Sequence, residues 1–103
     1  MPLHETEIKK QGQYQLKTAN GNVFTIASAE TTIGREGNIA FPDDKFISRA
    51  HAKIILTNNT LTIKDLNSQN GTFVNGKKIH KSQDITLGDK IKCGNTIFTV
   101  QKD

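Results

Sequence analysis

Apolar and polar positions alternate along most of this chain in short runs, each closed by a turn-forming pair. Tyr14-Gln15-Leu16-Lys17 alternates, and after Asn20-Gly21 comes Val23-Phe24-Thr25-Ile26. Two such runs joined through Asn-Gly predict a β-hairpin, because both centre residues of a type I′ turn need positive φ. The punctuation then repeats. Thr31-Thr32-Ile33 stops at Gly34-Arg35. Ala52-Lys53-Ile54-Ile55-Leu56 breaks at Asn58-Asn59 and resumes as Leu61-Thr62-Ile63-Lys64. Thr72-Phe73-Val74 turns at Asn75-Gly76 into Lys77-Lys78-Ile79, and Lys90-Ile91-Lys92-Cys93 turns at Gly94-Asn95 into Thr96-Ile97-Phe98-Thr99-Val100. β-Branched residues are abundant, and no stretch keeps apolar residues at helical spacing for three turns. The pattern is that of an all-β sandwich or barrel. Residues 1–12 lack this periodicity and read as a flexible N-terminal tail, leaving residues 13–103 as a single domain.

Composition narrows the function classes. A length of 103 residues suits one domain and not two. The formal net charge of +4 suits an anionic partner without saying which. No basic run interleaved with aromatics argues for nucleic acid. Cys93 is the only cysteine, so no internal disulfide can form and a cysteine metal site is disfavoured. The longest aliphatic run, Ile54-Ile55-Leu56, is far too short to span a bilayer. The first residues lack the basic and apolar regions of a signal peptide. The two N-x-[ST] sequons, at Asn58 and Asn70, are therefore read as chance, and the chain as cytoplasmic or as a cytosol-facing part of something larger.

Candidate chemistry concentrates in three polar segments between strands. They are Gly34-Arg35-Glu36-Gly37-Asn38, Ser48-Arg49-Ala50-His51, and the long Asp65-Leu66-Asn67-Ser68-Gln69-Asn70-Gly71-Thr72. In a sandwich, loops from alternate strand ends cluster at one edge, where they can converge on one ligand. Taken singly, each segment has a bland reading. Arg35 could be a solvated arginine paired with Glu36, Ser48 a turn serine bonding its own backbone, and Asn70-Gly71 a plain hairpin turn. The lead-in from Asp65 is longer than a two-residue turn requires.

In order, Gly34-Arg35, Ser48-Arg49-x-His51, Asn70-Gly71-Thr72 and Val74-Asn75-Gly76, with Leu87-Gly88-Asp89-x-Ile91 downstream, resemble the signature of forkhead-associated (FHA) domains. The resemblance covers roughly residues 13 to 102. It implies a two-sheet β-sandwich of about eleven short, mainly antiparallel strands. It also implies a phosphothreonine-dependent interaction module that docks an extended segment of a threonine-phosphorylated protein on its loops. A phosphothreonine carries about −1.5 to −2 charge and three acceptor oxygens, so its reader needs a fixed cation and several neutral donors. Arg35 supplies a permanently charged planar fork of donors. Ser48 would give its hydroxyl, and its backbone N–H as well. By the same resemblance Arg49 would be a further phosphopeptide contact, its bland reading being a solvated side chain. Asn70, whose amide offers a donor and an acceptor, matches the residue that bonds the ligand main chain, and Gln69 beside it would also touch peptide. Gly34, His51, Ser68, Gly71 and Thr72 would scaffold the site. Gly34 would let the backbone turn tightly, Gly71 would hold a conformation closed to other residues, and His51 would bond across to the third loop. Preference for threonine over serine implies a small methyl cavity near Asn70.

Other chemistry finds little support. Ser48 and His51 share one short segment, with no third group and no oxyanion donors to make a hydrolase. His4, His51 and His80 have no ligand-like spacing to one another or to Cys93, so no metal is expected. Gly34-Arg35-Glu36-Gly37 lacks the ending of a P-loop, and no cofactor is expected. Neither nucleic-acid binding nor membrane insertion is expected. Thr6, between Glu5 and Glu7, could be phosphorylated and occupy the site in cis or in a second copy. The rival reading is a phospho-independent scaffold or oligomerisation domain that uses the sheet surface.

Overall fold

The computed structural model describes residues 12–103; Thr6 and most of the proposed tail lie outside them. Eleven strands form two packed sheets. In chain order they are β1 (Tyr14–Thr18), β2 (Val23–Thr25), β3 (Glu30–Gly34), β4 (Ile39–Ala40), β5 (Ala52–Thr57), β6 (Thr60–Asp65), β7 (Thr72–Val74), β8 (Lys77–Lys78), β9 (Ser82–Ile85), β10 (Lys90–Cys93) and β11 (Thr96–Lys102). One sheet has the order β2-β1-β11-β10-β7-β8 and the other β4-β3-β5-β6-β9. Every pairing is antiparallel except β3 with β4. No helix is long and apolar enough to cross a membrane among the described residues.

The period-two pattern sets the register, because a slip of one residue would turn each strand's apolar set to solvent. Leu16 pairs with Val100, Ile91 with Phe98, and Ile54 with Ile63. All six are essentially inaccessible. Phe98 is the largest of them, and Phe41 packs against it at 5.4 Å between ring centroids while meeting Phe24 edge-on at 5.7 Å. Aromatic pairs in this geometry add to the burial of their rings. Phe41 thus pins the segment after β4 onto the core, and that segment leads directly into Ser48.

Three of the expected turns form tight two-residue reversals, Gly94-Asn95 between the paired Cys93 and Thr96 among them. Asn75 and Gly76 both have positive φ, at 52° and 85°, and Val74 pairs with Lys77 around them. Asn58 and Asn59 do the same between Thr57 and Thr60, at 50° and 67°. Asparagine tolerates this region better than most side chains. The Asn20-Gly21 turn differs from expectation. Lys17 and Val23 are the last pair, only Gly21 takes positive φ, and Thr18 N–H donates to Asn22 O. The Thr18 hydroxyl also bonds Asn20 and the Asn22 N–H. These side-chain bonds favour a longer loop over a type I′ turn. Strands β4 and β9 carry no sequence alternation long enough to announce them.

Candidate functional site

The three polar segments meet at one end of the sandwich because the topology puts them there. The first joins β3 to β4, the second precedes β5, and the third joins β6 to β7. Strands β3, β5 and β6 are neighbours in one sheet, while β7 belongs to the other. The third loop therefore crosses from sheet to sheet directly over the ends of the first two.

Gly34 governs how closely the first two segments approach. Its φ is not positive, so the tight turn expected of it is not its role. A Cβ at this position would collide with the carbonyl oxygen of Arg49 and lie 2.8 Å from that of Glu36. Any side chain would push the second segment away. With glycine there, Arg35 N–H donates to Ser48 O at 3.0 Å and Glu36 N–H to Arg49 O at 3.2 Å. His51 N–H donates to Ile33 O at 2.8 Å.

His51 ties the second segment to the third. Its side chain is wholly buried. Nδ1 accepts the Ser48 N–H at 3.0 Å, and Nε2 lies 2.8 Å from Gly71 O. A ring nitrogen that accepts from an amide cannot carry the proton, so Nε2 bears it and donates to Gly71. Both nitrogens are occupied by the backbone. His51 therefore cannot act as a base toward Ser48, and the Ser48 N–H, expected to reach phosphate, is held by the ring instead. Only the hydroxyl of Ser48 is left for a ligand.

That hydroxyl is oriented by the third segment. Ser48 Oγ accepts the Gln69 N–H at 2.9 Å, which leaves its own proton free to donate elsewhere. Asn70 Nδ2 donates to Phe46 O at 2.8 Å. Its second amide proton and its carbonyl oxygen stay available. Arg35, Arg49, Gln69 and Asn70 are exposed and Ser48 is half-buried. Arg35 forms no ion pair among the described residues, whereas Glu36 pairs with Arg49 at 3.6 Å. Those two side chains are 74% and 73% exposed, so the pair is weak and an incoming anion could displace Glu36 from it.

The residue that holds the third loop in shape is one the sequence did not single out. Asp65 Oδ1 accepts the hydroxyls of Ser68 at 2.5 Å and Thr72 at 2.7 Å, and Oδ2 accepts the Ser68 N–H at 3.1 Å. Ser68 Oγ in turn accepts the Gly71 N–H at 3.0 Å. Partial burial pushes the Asp65 carboxyl upward, but the hydrogen bonds from Ser68 and Thr72 outweigh it and hold the group below its ordinary range. Gly71 has φ of 86°, and a Cβ there would also meet the Lys78 side chain at 2.7 Å. The Asp-x-x-Ser spacing, an aspartate followed by a serine whose N–H it accepts, was the available signal.

A second carboxylate braces the far side of the Phe46 segment. Asp44 accepts the Phe46 N–H, the Asn95 N–H and the Thr96 hydroxyl at 2.9, 2.8 and 2.7 Å. Burial pushes its carboxyl up and these bonds outweigh that effect, again holding it low. Phe46 itself is 54% exposed beside the site. Cys93, by contrast, is buried under the third loop. Desolvation pushes its thiol up to about 12, against a hydrogen bond with Thr72 and with the charges of Asp65 and Asp44 adding to the rise. It is a packing residue and not a nucleophile. No cluster of three or more metal-ligating side chains exists among the described residues.

Comparison with known proteins agrees with this geometry. The family profile described as FHA domain matches residues 31–94. Nibrin from Danio rerio is 37% identical over 87 residues, covering 80% of this chain and 10% of nibrin. Among solved structures, Mycobacterium tuberculosis EmbR in complex with a low-affinity phosphopeptide superposes with a TM-score of 0.84. It shares 30% identity, over 89% of this chain and 25% of EmbR. An FHA domain solved for structural and functional analysis of phosphothreonine-dependent FHA domain interactions gives a TM-score of 0.81 and 26% identity, over 88% of this chain and 97% of that one. The chain spans between a tenth and about half of the length of the curated relatives it matches. By profile, by relative and by the fold that carries its three loops, the chain belongs to the FHA domain family.

Proposed function

We propose that this domain captures a threonine-phosphorylated segment of a partner protein across the loops carrying Arg35, Ser48 and Asn70. The observation that carries the reading is the state of Ser48. Its N–H is tied to His51, its oxygen accepts from Gln69, and its hydroxyl proton is left free to donate, while its carbonyl holds the Arg35 N–H. A hydroxyl set in this way is a fixed donor for a phosphate oxygen, and it needs no rearrangement when the ligand arrives. Arg35 brings the cation, and its guanidinium has no competing carboxylate among the described residues. Asn70, with one donor and one acceptor left, suits an extended peptide backbone. Arg49 and Gln69 flank this trio and extend the contact to the segment on either side. The phosphopeptide held by EmbR and the phosphothreonine-dependent interactions of the second FHA domain support the same reading for this chain.

The reading assigns Ser48 a donor's part and not a nucleophile's, since both His51 nitrogens are tied to backbone. The test is titration with matched phosphothreonine, phosphoserine and unphosphorylated peptides, followed by amide NMR shifts. Shifts at Arg35, Ser48 and Gln69–Asn70 are expected with phosphothreonine and weakly or not at all with the others. Charge-assisted hydrogen bonds contribute roughly 1.5–3 kcal/mol each, so Arg35→Ala should lower affinity by more than about tenfold. Its thermal midpoint should stay unchanged. A folded Arg35→Ala protein that binds phosphothreonine peptide as before would overturn the mechanism.

A further inference from the structure

The outer faces of the two sheets are built differently. On the β4-β3-β5-β6-β9 sheet, charges of both signs point outward. Glu30 pairs with Lys53 at 3.2 Å, Asp84 accepts the Thr62 hydroxyl at 2.9 Å, and Lys64 sits opposite Ser82. This is an ordinary solvated surface. The register of the other sheet places Lys78, Phe73, Lys92 and Ile97 in one row across β8, β7, β10 and β11. The neighbouring row holds Lys90, Thr99, Lys17 and Val23 across β10, β11, β1 and β2. The remaining outward positions are Gln15, Thr25 and Gln101. Four lysines face outward from this sheet, and no aspartate or glutamate does.

Apolar surface lies beside those lysines, Ile97 next to Lys92 and Val23 at the sheet edge next to Lys17. Ile97 and Val23 are 41% and 45% exposed. Phe73, Asn75, Lys90, Ile91, Lys92 and Ile97 line a groove of about 380 Å³. It lies at the end of β7 away from the recognition loops, beside the Asn75-Gly76 turn. Like-charged lysines side by side repel in the free domain, and an opposite charge relieves them. A recess flanked by ammonium groups takes one inserted apolar side chain with carboxylates on both sides.

We propose that this face is a second binding surface, independent of phosphate, for an acidic segment of a partner protein that carries a bulky apolar anchor. The other occupants fit less well. A second copy of the face would set four lysines against four. The outer edge strand β8 has two residues, both lysine, which blocks strand addition. No arginine points outward from this sheet to fork onto phosphates of nucleic acid.

The probe is a short unphosphorylated peptide of aspartate and glutamate with one central phenylalanine, titrated into the isotope-labelled chain and followed by amide NMR. A control peptide carries alanine at the centre. Shifts are expected at Phe73, Asn75, Lys90, Lys92 and Ile97, and the alanine control should bind more weakly. The Lys90→Glu/Lys92→Glu double variant should weaken binding about tenfold or more while still capturing phosphothreonine peptide. Arg35→Ala should leave it unchanged. Because the two surfaces are tested by different variants, failure here leaves the loop site standing, and the reverse also holds. The proposal is overturned by absence of shifts, by shifts at Arg35, Ser48 and Asn70 instead, or by equal binding of the alanine control. It is also overturned if phosphatidylserine vesicles or duplex DNA bind this face more tightly than the peptide.

Discussion

The two ends of the sandwich solve the same problem, reversing the chain between strands, by different physical means. At the far end, Asn58-Asn59 and Asn75-Gly76 each close a hairpin with two residues in positive φ. Local backbone preference is sufficient there, and the turns are legible from two letters. At the recognition end local bonds such as those from Ser68 to Asp65 are joined by contacts that are not local. Gly34 is matched to Arg49, His51 to Gly71, Ser48 to Gln69, and Asp65 to Thr72, in each case across a loop or between loops. The far end is specified by conformation, and the recognition end by contact. A ligand site benefits from the second arrangement, because donors fixed by remote partners do not need ordering when the phosphate arrives.

The largest effect that can test this contrast is expected at Gly34. Its φ suits any residue, so a purely conformational account predicts that Gly34→Ala is harmless. The packing account predicts the opposite, because the new Cβ runs into the Arg49 carbonyl and backbone must move on both sides. Overpacking of this kind costs about 3 kcal/mol. Chemical denaturation should show that loss, and phosphothreonine affinity should fall with it because Ser48 and Arg49 are displaced together. A Gly34→Ala protein as stable as the parent would show that the two segments are not held by close approach.

A smaller effect is expected at Asp65. Asp65→Asn replaces an acceptor of three hydrogen bonds with a group that has one acceptor atom and brings donors of its own. Hydrogen bonds to a charged group contribute enough that a loss of about 2 kcal/mol is expected. The pH dependence separates this from simple packing. The carboxyl of Asp65 is depressed in the folded state, so its contribution is present above the ordinary aspartate value of 3.8 and is lost as pH falls through the folded value. The stability gap between parent and variant should therefore be full at neutral pH and narrow in the acid range below 3.8. A gap that stayed constant into strong acid would mean that charge is not what holds the loop.

The same contrast explains what could be read from the sequence. The strands from Tyr14, Val23, Ala52, Leu61, Thr72, Lys90 and Thr96 show alternation, because each packs one face on the core. Strands β4 and β9 do not. With two residues, Ile39–Ala40 is too short to display a period, and Ser82–Ile85 is an edge strand with one buried side chain. The ordered motifs placed Arg35, Ser48 and Asn70 at one edge. They did not reveal that His51 holds the Ser48 N–H, that Asn70 rests on Phe46, or that Gly34 is needed for space. Each of those facts depends on a partner between 3 and 24 residues away, and proximity of that kind is written in the topology and not in the local pattern.

The smallest effect belongs to the far end. Gly76 has φ of 85°, and nothing lies within 4 Å of where a Cβ would be. Gly76→Ala therefore meets no neighbour and suffers only the left-handed conformation, at a cost of about 1 kcal/mol. The Asn75-Gly76 turn and the recognition loops lie at opposite ends of β7, which is three residues long and pairs with β10 along its whole length. If the two ends are specified separately, the thermal midpoint should drop by a few degrees while phosphothreonine affinity stays as it was. Gly34→Ala should instead move both quantities together. A Gly76→Ala protein with weakened phosphopeptide binding would show that β7 transmits the strain of its distal turn to Asn70 and Gly71. The clean division between the two ends would then fail, and with it the separation of the recognition loops from the distal turn.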